Sequence, residues 1–312
     1  MSRLCFVMVI GCLLWASVNF TYAQDPEQMI AFASRENDVN EDKLISDIFT
    51  IQLNGENRRN LSNHPANDIE PDWSPDGKRI AFSSNRDGDY DIWIMEADGS
   101  NVVKAADSDK NQFYPRWSPD GSQILCRQAD SNPWDYVFDG DICLISLADG
   151  SIVTLTNELS DDYDGAWSLD GRQIVFVSKD AGASHTTSDI FTLSIDDPKS
   201  LKRLTHNNGG YYGPYYISEN EIYFRYPGKD VMNVETLERT KLIEGEMSLN
   251  PFYVYHAVGI EAGVPQLLTD GLDGIWYHNP ESDVQFIIDN TNVFDDSMSW
   301  RPTVEVSVEL SD

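Results

Sequence analysis

A five-residue motif that recurs along the sequence limits the folds available to this chain more than any other feature. Trp73-Ser-Pro-Asp-Gly77 returns as Trp117-Ser-Pro-Asp-Gly121 and, with leucine in place of proline, as Trp167-Ser-Leu-Asp-Gly171. Pro-Asp-Gly is typical of a tight turn, because proline presets φ and glycine accepts a positive φ. An alternating apolar pattern such as Arg79-Ile-Ala-Phe-Ser83 follows each copy and predicts a β-strand. The chain is therefore built from copies of one β unit, 44 to 50 residues apart.

A second signature, an aspartate followed by isoleucine and alternating apolar residues, marks a further strand in each unit. It begins at Asp47, Asp91, Asp141 and Asp189. With a weaker last strand, each unit contains four short antiparallel strands, which is the size of one propeller blade. One blade cannot bury both of its faces, whereas a closed ring of blades can.

The repeat predicts an all-β fold, a six-bladed β-propeller of four-stranded antiparallel blades. Further first strands are expected near Tyr215, Phe252 and Trp300, and the N-terminal blade begins at Met29 with its second strand. We therefore expect the strand at Trp300 to complete the blade that begins at Met29. The stretch 257–290 is difficult to divide, so five or seven blades stay possible.

The first 23 residues are typical of a secretory signal peptide. Arg3 precedes an apolar run from Leu4 to Ala16, and small residues at Thr21 and Ala23 come before Gln24. The run is shorter than the roughly 20 residues that a membrane-spanning helix needs. We predict a signal peptide at 1–23, a single propeller domain at 24–312, and a periplasmic or secreted protein that does not span the membrane.

The segment after the predicted cleavage site contains two cysteines, Cys126 and Cys143. In an oxidising compartment these two could form a disulfide. Both lie in strand patterns, where a free thiol also serves as a small apolar core residue. The sequence leaves the two interpretations open.

The repeats resemble those of the TolB-like propeller family, whose signature is Trp-Ser-Pro-Asp-Gly, an Ile-Ala-Phe-Ser strand, an Asp-Gly hairpin and an aromatic third strand. The resemblance covers Met29 to Tyr216. It implies a periplasmic or secreted six-bladed propeller that acts through protein contacts, as TolB does with outer-membrane partners in the Tol-Pal system. Full-length TolB carries a separate α/β domain ahead of its propeller, and we expect none between Ala23 and Met29.

The charge balance narrows the range of partners. The chain has 52 acidic and 22 basic residues, a formal net charge of −30. Such a charge repels nucleic-acid phosphates and attracts cations, cationic peptides and basic protein surfaces. The sequence lacks a Gly-x-Ser-x-Gly nucleophile elbow, a phosphate-binding Gly-x-x-x-x-Gly-Lys loop and a His-Glu-x-x-His pair. We therefore predict a binding module without catalytic residues, whose partner is an envelope or secreted protein, a cationic peptide or a glycan.

The candidate binding residues lie in the loops that lead from the last strand of one blade to the first strand of the next. Ring closure would bring these loops together at one mouth of the central channel. The loops contain Asp68 and Glu70, Asp107 and Asp109, Asp161, Asp162 and Asp164, Glu244 and Glu246, and Asp295 and Asp296. Carboxylates of this kind suit a basic partner or Ca²⁺, and they also cap turns and keep a surface solvated.

Tyr211 and Tyr212 fall in the same class of loop. They could offer a stacking platform for a sugar or a peptide at the mouth, or they could pack beside Tyr215, which would replace the blade tryptophan.

The alternative hypothesis is a metal-dependent polysaccharide lyase or hydrolase of propeller fold. It rests on His64 and His206, which we predict at equivalent loop positions on opposite blades, where they would hold a transition metal.

Overall fold

The computed structural model of the chain describes residues 29–34, 45–52, 55–131, 139–156, 161–179, 188–206, 210–225, 229–241, 257–261, 264–271, 274–279, 284–289 and 298–300. From residue 241 onward this description is of backbone alone. All regular elements within these ranges are β-strands, which confirms the predicted all-β class. No helix in the described part of the chain is long and apolar enough to cross a membrane. The predicted signal peptide lies outside the described residues.

The 24 described strands form six antiparallel sheets of four strands each. Sheet 1 contains β1 (Met29–Ser34), β2 (Asp47–Gln52), β3 (Arg59–Asn60) and β24 (Met298–Trp300). Sheet 2 contains β4 (Asp68–Trp73), β5 (Arg79–Ser84), β6 (Asp91–Glu96) and β7 (Val103–Lys104). Sheet 3 contains β8 (Asn111–Trp117), β9 (Gln123–Ala129), β10 (Asp141–Ser146) and β11 (Ile152–Thr154).

The other three sheets follow the same order. Sheet 4 contains β12 (Asp161–Trp167), β13 (Gln173–Lys179), β14 (Asp189–Ser194) and β15 (Asp197–Arg203). Sheet 5 contains β16 (Tyr212–Tyr216), β17 (Glu221–Arg225), β18 (Lys229–Asn233) and β19 (Arg239–Lys241). Sheet 6 contains β20 (Ala257–Glu261), β21 (Val264–Gly271), β22 (Gly274–Asn279) and β23 (Val284–Asp289).

Sheet 1 joins the two ends of the described chain. Sheets 2 to 6 pair their strands in chain order, but sheet 1 has the order β24-β1-β2-β3. Ile30 pairs with Trp300, and Phe32 pairs with Met298. The predicted completion of the Met29 blade by the strand at Trp300 is therefore present in the structure.

The motif tryptophans occupy matching places between neighbouring sheets. Trp73 packs among Ala31 and Ile48 of sheet 1, and Trp117 packs in the same way against Ala81 and Ile92 of sheet 2. Trp167 packs against sheet 3. All three side chains are buried. A tryptophan of this size buries a large apolar surface, so each copy of the motif binds its sheet to the preceding one.

Sheet 5 has a tyrosine at this position, and it is Tyr216, not Tyr215 as we predicted. Trp73 pairs with Ile80, and Tyr216 pairs with Ile222 in the same register. The Tyr216 hydroxyl lies 2.9 Å from Thr192 Oγ1 in sheet 4. The sequence misled because β16 contains two adjacent tyrosines, and only the strand register shows which of them faces the preceding sheet.

Cys126 and Cys143 form a disulfide. They lie directly opposite each other on β9 and β10, with their sulfur atoms 2.16 Å apart. Both are buried in the cluster that surrounds Trp117. Of the two interpretations left open by the sequence, the structure shows the bonded pair.

The antiparallel order gives the molecule two loop faces. The face where the first strands β4, β8, β12 and β16 begin is called the mouth face below. The opposite face, called the turn face, carries the Ser-Pro-Asp-Gly turns that follow Trp73 and Trp117 and the Ser-Leu-Asp-Gly turn after Trp167.

Candidate functional site

Aspartates on the turn face have a local structural role. Asp76 Oδ1 accepts hydrogen bonds from Ser74 Oγ at 2.7 Å and from the Lys78 amide at 3.1 Å. Asp120 and Asp170 make the same two contacts in their turns. These hydrogen bonds, the serine hydroxyl above all, lower the pKa of the three carboxyls. This part of the negative charge shapes turns and does not indicate a ligand.

On the mouth face, Asp68 is fully buried and paired within its own sheet. Arg86 Nη2 lies 3.0 Å from one Asp68 oxygen and 3.1 Å from the other. Burial raises the pKa of Asp68, while Ser84 and Arg86 act in the opposite direction. A buried carboxylate needs such a partner, because an uncompensated charge is costly away from water.

Glu70 and Asp164 lie at a bulge that recurs in the first strand of four sheets. One extra residue enters β4, β8, β12 and β16 at the same place. The bulge residues Glu70, Tyr114, Asp164 and Gly213 all have positive φ, between 50° and 57°. Bulges of this kind bend a strand and redirect its side chains.

At two of these bulges the side chain binds the next sheet. Glu70 Oε2 accepts a hydrogen bond from the Tyr114 amide at 2.6 Å and another from Ser83 Oγ at 3.0 Å. Asp164 Oδ2 accepts one from the Gly213 amide at 3.0 Å. In both cases the bulge carboxylate of one sheet holds the bulge amide of the following sheet. These two predicted site residues therefore contribute to the contact between sheets.

Asp161 is the centre of a second ion pair. It is buried and lies 3.0 Å from Arg127 Nη2 and 3.6 Å from Lys179 Nζ. The Gly140 amide also donates to it, at 3.2 Å. Asp161 thus links sheets 3 and 4 and is already neutralised by protein cations.

Asp162, the next residue, has a different environment. It has no exposed surface, and neither carboxylate oxygen has a hydrogen-bond partner among the described residues. Burial raises the pKa of Asp162 to about 6, the nearby Ser178 and Thr156 hydroxyls oppose this, and the charges of Asp141 and Asp161 add to it. A charged, unpaired and buried carboxylate is an unusual and expensive feature.

Among the described residues, a group of exposed acidic side chains on the mouth face lies on sheets 2 and 3. Asp107 and Asp109 were predicted as site residues and are exposed, the Asp107 side chain by 98%. Lys104 Nζ lies 2.5 Å from Asp87 and 3.4 Å from Asp107, and Lys110 Nζ lies 3.7 Å from Asp130. Lys104 thus brings Asp87 and Asp107 together, and Lys110 contacts Asp130 separately. The acidic patch consists of Asp87, Asp89, Asp107, Asp109 and Asp130, all exposed.

The two predicted tyrosines separate in the structure. Tyr211 is 1% exposed and packs edge-on against Phe224, with ring centroids 5.5 Å apart. Tyr212 is 50% exposed. Of the pair, only Tyr212 presents a ring to solvent, so the two do not form a shared stacking platform. The predicted residues Asp295 and Asp296, together with Glu244 and Glu246, lie outside the described residues.

The two histidines of the alternative hypothesis are not at equivalent positions. Ser62 and Thr205 mark the repeat, because each hydroxyl accepts the amide of the matching isoleucine on the third strand. His64 lies two residues after Ser62, while His206 lies one residue after Thr205. The Nδ1 atom of His64 accepts the Ala66 amide at 3.1 Å. Among the described residues no three His, Cys, Asp or Glu side chains are grouped so that they could hold a metal ion.

Several residues that decide this geometry were not predicted from the sequence. Arg86, Arg127 and Lys104 neutralise mouth-face carboxylates, and Asp130 joins the acidic patch. Arg86 follows a strand end by two residues, and that position is the only signal in the sequence that could have pointed to it.

Comparisons with known proteins agree with the β-propeller fold. A family model described as the TolB beta propeller domain matches residues 24–139, which contain the first two copies of the Trp motif. The repeats within this segment are of the TolB type. The TolB-type fold extends beyond the matched segment, as structural similarity shows.

TolB from Acinetobacter baumannii superposes with a TM-score of 0.62 at 17% identity, over 89% of this chain and 68% of that one. A putative TolB from Agrobacterium tumefaciens gives 0.58 at 16% identity, over 88% of this chain and 98% of that one. At such identities the likeness establishes the fold and leaves the function open.

A curated relative shares a shorter stretch. Dipeptidyl-peptidase 5 of Porphyromonas gingivalis is 41% identical over 51 residues, which is 16% of this chain and 8% of the peptidase. The chain therefore spans only a small fraction of that relative's length.

Proposed function

We propose that this TolB-like propeller is a binding module, and that the acidic patch on its mouth face receives a basic segment of a protein or peptide. The observation that carries the proposal is the division of the mouth-face carboxylates into two groups. Asp68, Glu70, Asp161 and Asp164 are engaged by groups of the protein itself. The five patch aspartates are exposed instead, and within the described part of the chain the cations that contact them are Lys104 and Lys110.

Electrostatics favours a cationic partner at this surface. The two lysines offset two of the five aspartate charges, so the patch keeps a net negative charge. A surface with one sign of charge speeds the association of an oppositely charged partner and makes binding sensitive to salt. Tyr212, half exposed on the same face, adds an aromatic ring that an arginine side chain could stack upon.

The proposal includes export to the periplasm or the medium. The disulfide between Cys126 and Cys143 supports this, because such bonds persist mainly in oxidising compartments. Residues 1–23 have the composition of a signal peptide, with Ala23 before the predicted cleavage site. Sequencing the N-terminus of protein recovered from the periplasm tests the proposed export. Gln24 is the expected first residue, and retention of Met1 would contradict export by this route.

Binding of a fluorescent hexalysine peptide, followed by anisotropy at 20 and 200 mM NaCl, tests the acidic patch. The variant Asp107→Asn/Asp109→Asn/Asp130→Asn should weaken binding about tenfold or more at low salt, since each removed charge lowers the local potential. The matched control removes three exposed acids from the turn face and should bind as the wild type does. That control is Glu219→Gln/Glu235→Gln/Glu238→Gln. Equal losses in the two triple variants would show attraction to the whole protein and would refute a site.

A further inference from the structure

Comparison of equivalent positions in the repeat shows that one mouth-face residue, Asp162, differs from its counterparts. Asp68 and Asp162 both lie five residues before the motif tryptophan and pair across the strand with Ser84 and Ser178 respectively. Their amides donate to the preceding sheet in the same way, to Ser46 O at 2.8 Å and to Gly140 O at 2.7 Å. Both side chains are fully buried. Backbone and burial are thus the same at the two positions.

The two positions differ in how the carboxylate is neutralised. Arg86 binds both oxygens of Asp68. Both oxygens of Asp162 lack a hydrogen-bond partner among the described residues, and so does the facing Ser178 Oγ. In sheet 3 the equivalent residue is Gln112, a neutral side chain that accepts the Ile92 amide at 3.3 Å. At this place the repeat has a paired carboxylate in Asp68 and a neutral amide in Gln112, whose Nε2 also lacks a partner among the described residues. A charged Asp162 is neither.

Within the described ranges, the strands around Asp162 supply no cation that pairs with it. β12 packs against β8, β9, β10, β13 and β16. Besides Asp162, the charged side chains on β12 are Asp161 and Asp164. The charged side chains on its neighbours are Lys179 on β13, Arg127 on β9, Asp141 on β10 and Arg116 on β8, and β16 carries no charged residue. Arg127 and Lys179 both contact Asp161. Asp141 and Asp161 disfavour the charged form of Asp162 by repulsion.

We propose that Asp162 is a proton-binding site: the folded protein takes up one proton there from solvent, and the neutral carboxyl fills the seam between sheets 3 and 4 as Gln112 fills the seam before it. The new O–H bond has acceptors at hand in the Ser178 and Thr156 hydroxyl oxygens. Proton uptake removes one negative charge from beside Asp141 and Asp161. The mouth face then responds to pH in the mildly acidic range. The proposal does not depend on the binding function.

The sign of the pH effect follows from the direction of the shift. Burial raises the pKa of Asp162 from 3.8 to about 6, so between these values the folded protein holds the proton more tightly than the unfolded chain. This contribution to stability is complete below the unfolded pKa and is lost as pH rises through 6. A shift of this size corresponds to a change in the folding equilibrium constant on the order of a hundredfold.

The test compares urea unfolding of the whole protein at intervals from pH 4 to pH 8 for the wild type, Asp162→Asn and Asp162→Gln. For each variant, the ratio of its folding constant to that of wild type should increase on the order of a hundredfold from pH 4 to pH 7.5. Asp162→Gln copies the residue that the repeat itself uses at Gln112. The control Asp68→Asn should be less stable than wild type at pH 7.5, because Arg86 loses its charged partner.

Either of two results would overturn the proposal. One is that both Asp162 variants are less stable than wild type at pH 7.5, which would mean that the charged form is the stabilised one. The other is that 5 mM Ca²⁺ raises the unfolding midpoint of wild type but not of Asp162→Gln, which would identify a metal site.

If neither variant folds, the wild-type protein still decides the question. With aspartate labelled at Cγ with ¹³C, one carboxyl resonance should titrate near pH 6, in EDTA as well as without it. The absence of any aspartate carboxyl titrating between pH 5.5 and 6.5 would reject proton binding.

Discussion

Substitution of Glu70 tests whether bulge carboxylates hold neighbouring sheets together. Glu70 is 4% exposed, and one of its oxygens accepts hydrogen bonds from the Tyr114 amide and from Ser83. Hydrogen bonds to a charged group contribute about 1.5 to 3 kcal/mol each, so Glu70→Ala should lower the free energy of unfolding by about 3 to 6 kcal/mol. Glu70→Gln keeps a neutral acceptor and should lose about half as much.

The backbone at Glu70 adds an internal control. Its φ is 57°, a left-handed conformation that costs an ordinary residue about 1 kcal/mol and glycine almost nothing. Glu70→Gly should therefore be about 1 kcal/mol more stable than Glu70→Ala, the reverse of their order at an ordinary strand position. Glycine already occupies the matching place in sheet 5, at Gly213.

Urea unfolding followed by tryptophan fluorescence and by circular dichroism measures these differences. Glu238→Ala, at an exposed position on the turn face, is the reference and should stay within about 0.5 kcal/mol of wild type. The reasoning would be refuted if Glu70→Ala cost less than about 1 kcal/mol, or if it were as stable as Glu70→Gly.

Three further outcomes are expected from the same unfolding assay. Changing Cys126 and Cys143 together to alanine should lower stability by about 3 kcal/mol under oxidising conditions, as chain entropy predicts for a loop of this length, and the difference should become smaller in reductant. Arg86→Met leaves a buried charge at Asp68 and should cost about 3 to 5 kcal/mol at pH 7, less at low pH where that carboxyl, its pKa raised by burial, takes up a proton. Trp117→Phe removes an indole hydrogen bond to the preceding sheet and should cost about 1 to 2 kcal/mol, whereas an unchanged midpoint would mean that the indole N–H does not matter.

The repeat predicted the fold because each copy carries its own turn chemistry and strand pattern. Trp73, Trp117 and Trp167 needed no knowledge of the rest of the chain to be placed between sheets, since size and apolarity decide their burial. The pairing of Met29–Ser34 with Met298–Trp300 could also be predicted. The N-terminal blade lacks a first strand in the sequence, and the strand pattern at Trp300 has no following strands of its own.

The candidate site could be predicted only as a set of acidic loops. The sequence does not show that Arg86 reaches Asp68, because that contact depends on how the loop after β5 folds back over the first strand. It also cannot show that Glu70 and Asp164 point toward the next sheet, since a bulge with positive φ is a property of strand pairing. Exposure, which separates Asp107 from Asp161, depends on packing in three dimensions.

The pairing of β24 with β1 has a consequence for how the protein is made. Ile30 is synthesised early, but its pairing partner Trp300 is synthesised only near the other end of the sequence. Throughout synthesis β1 has an open edge, and open edges attract other strands. Folding of the first blade is thus a late event, and a cell that produces this protein must keep that edge from pairing with another nascent chain in the meantime.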